Sequence, residues 1–213
     1  MIIAVDGPSA SGKGTLARAL ASHFGLRHLD TGALYRVVGL SVLRRGLDPA
    51  EPVAALAAAE TFDLSLLEDP QLRSDAAGSA ASKVAAIPAV RAALLQFQRD
   101  FAARLPGAVL DGRDIGTVVC PQAEAKLFVT AQAGVRARRR MAELAARGMA
   151  RPYAEILSDL LARDARDSQR EAAPLKPAPD SILLDTSDLD KDAALAEAIR
   201  LVSAKLGTAD RTE

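Results

Sequence analysis

The chain has 213 residues, 49% of them hydrophobic and only 3% aromatic, so one sizeable core built from Ala, Leu and Val is expected, with room for small insertions. Its 27 basic and 27 acidic side chains balance to zero formal charge, which argues against bulk attraction to nucleic acid or to a membrane surface. One cysteine, Cys120, excludes an internal disulfide, and no metal-ligand spacing accompanies it. No apolar run is long enough to span a bilayer, and the chain opens directly on a core strand, so a cytoplasmic protein without a signal peptide is expected.

The apolar run Ile2-Ile3-Ala4-Val5-Asp6 reads as a buried strand. Gly7-Pro8-Ser9-Ala10-Ser11-Gly12-Lys13-Gly14-Thr15 follows, and then a helical pattern carrying Leu16, Ala17, Leu20, Ala21 and Phe24 up to Gly25. Strand, glycine-rich turn and helix form the context of a phosphate-binding loop. The glycines let successive N–H groups turn inward on an anion, the helix adds its positive end, and Lys13 supplies a mobile cation for β- and γ-phosphates. The residue after Lys13 is Gly14, and the hydroxyl comes one position later at Thr15. That Gly-Lys-Gly-Thr form looks like nucleoside monophosphate kinases and unlike GTPases or motor ATPases.

Leu26–Asp30 reads as a second strand, after which Asp30 or Thr31 caps a helix with Leu34, Val37, Val38 and Val42 that ends at Gly46. Alternating strands and helices imply a doubly wound parallel sheet, with ligands at the carboxyl ends of its strands. Arg36 then shares a rim with the phosphate loop, or is a solvated surface charge. Residues 48–87 change character and read as an insertion: a helix over about 52–60, a short strand over 62–67, and a small-residue stretch over 75–86. Pro88 starts a helix with Val90, Leu94, Phe97, Phe101 and Leu105 on one stripe and Arg91 beside it, free to reach out of the packed face.

Ala108–Asp111 is the third strand, running into Gly112-Arg113-Asp114-Ile115-Gly116-Thr117. Asp111 is placed to hold water around Mg2+; the alternative is a turn satisfied by its own Asp side chains. Ala125–Thr130 is the fourth strand. Arg136, Arg138, Arg139 and Arg140 follow on a helix ending near Gly148, as a solvated face or as a mobile phosphate-facing lid. The helix from Pro152 buries Ile156, Leu157, Leu160 and Leu161, and then lines Arg163, Asp167 and Arg170 on one face, with Arg166 adjoining. A surface ladder of ion pairs would have the same pattern. After Pro174, Pro177 and Pro179 come a fifth strand, Ile182–Asp185, and a last helix capped by Asp188, with a frayed tail from Gly207. His23 and His28 lie in no motif and read as packing or surface residues.

The phosphate loop resembles that of the bacterial cytidylate kinases when taken with Asp30-Thr31-Gly32-Ala33-Leu34-Tyr35-Arg36, Asp111–Thr117 and Arg163-Asp164-Ala165-Arg166-Asp167-Ser168-Gln169-Arg170. Ser82-Lys83-Val84-Ala85-Ala86 and Pro174-Leu175 match as well, so the resemblance covers nearly the whole chain. It implies a five-stranded phosphate-loop fold with a core over about 1–47, 88–130 and 176–206, a monophosphate-binding insertion at 48–87 and a helical lid at 131–175. It also implies ATP as donor with Mg2+ held through Thr15 and, by way of water, Asp111, and CMP or dCMP as acceptor. Gly7 to Thr15 would bind the ATP phosphates. Arg36, Arg113 and Arg170 would grip the acceptor phosphate, with Thr31 beside them. Ser82, Arg91 and Asp114 would face the cytosine, while Arg163 and Asp167 would hold the sugar. Lys13, Arg113, Arg163 and Arg170 would then carry the catalysis, in a monomer.

Two departures are visible: Thr31 stands where Ser is frequent, and Lys83 where Gln is. The segment between Leu67 and Ser82 is also shorter than in long bacterial forms, which weakens any expectation on CMP against dCMP or UMP. The competing expectation is another small phosphate-loop kinase acting on UMP or a non-nucleotide acceptor. A guanine-reading switch is disfavoured because the chain contains no asparagine.

Overall fold

In the computed structural model, residues 1–207 are described. Five strands, β1 (Ile2–Asp6), β2 (Arg27–Asp30), β3 (Ala108–Gly112), β4 (Ala125–Thr130) and β5 (Ile182–Asp185), form one sheet in the order β2-β3-β1-β4-β5. Every adjacent pair is parallel, with Val5 opposite both Asp111 and Leu127. Strands buried on both faces need continuous apolar runs, and Ile3, Ala4, Val5, Val109 and Leu110 are all fully buried. Because β3 and β4 flank β1, the chain lays β2 and β3 on one side of β1 and then crosses to place β4 and β5 on the other, and the crevice at the carboxyl end of β1 is where ligands lodge in such sheets.

Helices α1 (Lys13–His23) and α8 (Lys191–Leu206) cover one face through Leu16, Leu20, Ala198 and Val202. Helix α5 (Pro88–Ala103) and a single wide helical turn at Ile115–Val119 cover the other. Helices α2 (Thr31–Arg44), α3 (Pro52–Glu60) and α4 (Asp75–Val84) build a second core with α5 around Leu34, Val38, Val42, Ala58, Val84 and Val90. Helices α6 (Ala133–Ala146) and α7 (Tyr153–Gln169) pair through Ala137, Leu144, Ile156 and Leu160, with Ala10 of the phosphate loop against them. No helix among the described residues is long and apolar enough to cross a membrane.

Three local expectations are corrected. Residues 62–67 are not a strand: Asp63 and Asp69 accept hydrogen bonds from the N–H groups of Ser65 and Gln71, and the chain winds into two short 3-10 turns, Leu64–Glu68 and Pro70–Arg73. Side-chain capping of this kind competes with extended pairing. The stretch from Asp75 is helix α4, capped by Ser74. The last helix is capped by Asp190, which accepts from Ala193 N–H at 2.8 Å, two residues later than Asp188. Gly207 ends α8 in the left-handed region (φ 68°), and the rest of the expected tail lies outside the described residues.

Helix α4 reaches the sheet's rim because α2 lets it approach closely. A Cβ on Gly39 would lie 2.8 Å from Ala80 Cβ and 2.9 Å from the Ala80 carbonyl carbon, so only a bare backbone fits. Gly39→Val should therefore cost about 1–3 kcal/mol in denaturant unfolding, as overpacking does. It should also lower hydrogen-exchange protection in α4 more than in the strands of the sheet; equal changes would show that α4 is not positioned by this contact.

Candidate active site

The turn after β1 depends on glycines at a crowded and at a left-handed position. Gly7 has φ 152°, and a Cβ there would sit 2.0 Å from the Val129 carbonyl oxygen of β4. Gly12 caps α1 in the left-handed region (φ 88°). Lys13 is buried and its Nζ donates to the Pro8 carbonyl at 3.1 Å, so the ammonium folds back on its own loop. Burial, helped by the Arg113 charge, lowers the Lys13 pKa to about 7. Thr15 is exposed one turn into the helix.

Opposite the loop lies the end of β3. Asp6, buried at the end of β1, accepts from Ile115 N–H and Gly116 N–H, both at 2.8 Å, and fixes the segment that follows Asp111. Burial raises the Asp6 pKa to about 7. Asp111 is 4% exposed; its main-chain oxygen accepts from Thr31 Oγ1 at 2.8 Å, and its Oδ1 lies 2.7 Å from His28 Nε2. The reading of His28 as mere packing or surface is thereby corrected, since its ring hydrogen-bonds the carboxylate singled out for Mg2+. The Thr31 hydroxyl is likewise spent on Asp111 rather than free.

Asp167 joins three distant segments. Its Oδ1 accepts from Ser82 Oγ of α4 at 2.8 Å, its Oδ2 accepts from Arg113 Nε at 2.9 Å, and Arg163 Nε stands 3.9 Å from Oδ2. Burial would raise its pKa, but the charges of Arg113 and Arg163 with these hydrogen bonds hold it down to about 2. With Asp167 only 3% exposed, the Arg163–Arg170 face is no surface ladder. Arg91, 9% exposed, reaches from beside the apolar stripe of α5 into the site, where it pairs with Asp114 and lies over the Tyr35 ring. Burial raises the Asp114 pKa against the pull of Arg91 and Arg170. Arg36 donates to Asp30 at 2.6 Å, and Asp30 also caps α2.

Arg138 of α6 is exposed, whereas Arg136, Arg139 and Arg140 are buried or half-buried and are not aimed at one target. Arg136 is buried and donates to the carbonyls of Ser9 and Ala131 and to Asp164, tying α6 and α7 to the phosphate loop. Arg139 donates to Thr186 beyond β5, and Arg140 pairs with Asp75 and Glu143.

These side chains enclose one cavity of about 230 Å3. Ser9, Ala10, Lys13 and Gly14 form one wall; Arg36, Tyr35, Ser82, Arg91, Arg113, Asp114, Arg163, Asp167 and Arg170 form the others. Thr15, Ser9 and Ala10 also border an adjoining space of about 910 Å3 that shares Arg36 and Arg163. Six cationic side chains meet four carboxylates around the smaller cavity. Two guanidinium nitrogens there, Arg163 Nε and Arg170 Nη2, are buried with no hydrogen-bond partner. Unsatisfied buried donors are costly, and an anion in the cavity would satisfy them. Burial lowers the Arg163 pKa to about 10, consistent with crowding by Arg113.

Sequence reasoning assigned no site role to Asp6, His28 or Tyr35, and offered Arg136 only as part of a solvated face or a phosphate-facing lid. Asp6 carried the same signal as Asp111, a carboxylate ending an apolar strand, whereas nothing local marked His28 or Tyr35 as a site residue.

A parallel sheet with a glycine-rich loop after its central strand and a cluster of arginines facing it is the architecture of a phosphate-loop kinase. The chain belongs to the cytidylate kinase family, whose model matches residues 3–204. It is 60% identical over 200 residues to a cytidylate kinase of Cereibacter sphaeroides, covering 94% of each chain. It is 56% identical over 204 residues to one of Rhodopseudomonas palustris, covering 96% of each. In fold it is similar to an uncharacterized protein from Eubacterium ventriosum, with a TM-score of 0.57 over 96% of this chain and 98% of that one, at 17% identity.

The lowered Lys13 pKa has a measurable consequence. At about pH 8 the free protein holds Lys13 largely neutral, and a bound triphosphate should restore its proton. Calorimetric titration of ATP in two buffers of different ionisation enthalpy should show net proton uptake that is lost in Lys13→Met. Identical heats in both buffers would contradict the reading.

Proposed function

We propose that this protein transfers the γ-phosphoryl group of ATP to CMP or dCMP, giving ADP and the nucleoside diphosphate. The observation that carries this reading is a cavity with the phosphate loop on one wall and five arginines on the others. A donor triphosphate and an acceptor phosphate placed in it would meet over Lys13. We read it as a cytoplasmic monomer that needs neither nucleic acid nor membrane, in keeping with its balanced charge.

The acceptor phosphate has its second pKa near 6 and is mostly dianionic at neutral pH. A dianion attacks without a protein base; the task is to neutralise repulsion and hold the groups in line. Arg36, Arg113 and Arg170 grip the acceptor phosphate, and Lys13 with the loop N–H groups grips the donor. Arg163 lies close to the transferring phosphoryl group, and with Asp167 holds the sugar. Ser82, Arg91 and Asp114 read the cytosine, and Tyr35, under Arg91, forms part of the same wall.

The donor set suits Mg2+. Among the described residues no group of three or more His, Cys, Asp or Glu could cage a metal. Thr15 and Asp111 would supply one hydroxyl and one carboxylate, which fits a cation that takes most of its oxygens from phosphates and water. When bound, Mg2+ neutralises charge on the donor phosphates. Segment 131–175 acts as the lid: Arg140 and Arg151 pair with Asp75, and Asp167 with Ser82, so α6 and α7 seal against α4 and exclude water.

An assay of ADP release across CMP, dCMP, UMP and AMP tests the reading. Turnover should be greatest with CMP or dCMP; greater turnover with another acceptor, or none with any, would overturn it. Arg170→Ala should lower turnover about 100-fold or more while leaving ATP affinity close to wild type, as removal of a transition-state contact does. An unchanged kcat would remove Arg170 from the chemistry. Asp114 accepts from the exocyclic amine of cytosine, where uracil presents a carbonyl, so Asp114→Asn should narrow the preference for CMP over UMP. An unaltered ratio would exclude Asp114 from base reading.

A further inference from the structure

We infer that His28 is a positioning residue for Mg2+–ATP, acting through Asp111. The inference rests on the proposal that Asp111 orders the metal's water.

Asp111 is fixed at every bond but those of its own side chain. Its backbone is paired on both sides, opposite Val5 of β1 and Asp30 of β2, and its carbonyl oxygen accepts from Thr31 Oγ1. What remains free is the rotation that decides which carboxylate oxygen faces the phosphate loop. His28 removes that freedom. It lies on β2 opposite Val109, two residues before Asp111 and on the same side of the sheet, because side chains alternate along strands.

Its Nε2 is 2.7 Å from Asp111 Oδ1. A carboxylate can only accept, so Nε2 carries the proton and donates it. The other oxygen, Oδ2, faces the loop: a Cβ built on Gly14 would lie 3.5 Å from it. Gly14 immediately precedes Thr15, the hydroxyl proposed for the same metal.

The imidazole does not itself line the cavity, whereas Asp111 does. His28 therefore has no route to substrate except through this hydrogen bond. Its side chain is 18% exposed against 6% for Asp111, so the pair sits under the rim of the site, where a fixed orientation is least weakened by solvent. Partners of this kind set the direction and basicity of groups that hold a metal, and their loss weakens metal affinity without touching the ligand itself. Because Asp111 works through water, a smaller effect is expected than for a direct ligand.

The test measures metal-dependent binding as well as turnover. ATP affinity is titrated calorimetrically in EDTA and at rising Mg2+, and Mn2+ bound in the presence of ATP is counted by electron paramagnetic resonance. The proteins compared are wild type, His28→Leu, His28→Gln and Asp111→Asn. His28→Leu should need roughly three- to ten-fold more metal for half-maximal enhancement of ATP binding. Its affinity for ATP in EDTA and its KM for CMP should be unchanged. His28→Gln, which keeps a donor, should recover part of the loss, a rescue that a merely space-filling role would not give and that stands even if the leucine variant folds poorly. Asp111→Asn should show the larger shift. If Asp111→Asn shifts the metal dependence and neither His28 variant does, the inference about His28 is wrong and the role of Asp111 stands. If Asp111→Asn leaves the metal dependence intact, the reading of Asp111 fails and takes the inference with it.

Discussion

The buried Asp167 carboxylate is the interaction on which the site depends. Through it α4, the loop after β3 and α7 meet at one side chain, by way of Ser82, Arg113 and Arg163. Two guanidinium groups and a hydroxyl compensate a charge that would otherwise be too costly to bury. Once that carboxylate is in place, the arginines around it are oriented, α4 is joined to α7, and the cavity has its shape. Removing one partner of such a pair leaves the other buried and unmatched, which costs about 3–5 kcal/mol in typical proteins.

The remaining electrostatics read as an arrangement held ready for anions. Carboxylates do not fully match the cations: Lys13 and Arg163 have lowered pKa values from burial and from like charge, and two guanidinium nitrogens lack acceptors. Such a site is uncomfortable without anions, and phosphate groups relieve it. The same excess is what phosphoryl transfer between two nucleotides requires, because the barrier lies in charge repulsion more than in proton movement. A chain with zero net charge can do this because position, not total, creates the local field.

Much of this was legible in the sequence wherever a signal was local. The strand, glycine turn and helix at residues 2–24 each carry their own pattern, and the resulting loop follows. The Arg163, Asp167 and Arg170 spacing predicted a shared face, but whether that face was solvated depended on what lay opposite it, which helix periodicity does not contain. Residues 62–67 misled because Phe62, Leu64 and Leu66 alternate as a strand would, while Asp63 and Asp69 bend the backbone by capping it. His28 was invisible for a topological reason: its contact with Asp111 spans 83 residues and exists only because β2 lies beside β3. Arg136 was hidden in the same way, since its acceptors sit on the phosphate loop and on α7.

The central claim is that fixed positive charge, without a protein base, lowers the barrier between two bound nucleotides. The pH dependence of turnover, with ATP, Mg2+ and CMP all saturating, tests it most directly. The account predicts a level plateau from about pH 6.5 to 9, because the three arginines hold the bound acceptor phosphate dianionic and move its ionisation below the free value near 6. A rise between about pH 7 and 9, which would report a deprotonating side chain in the bound complex, would contradict it.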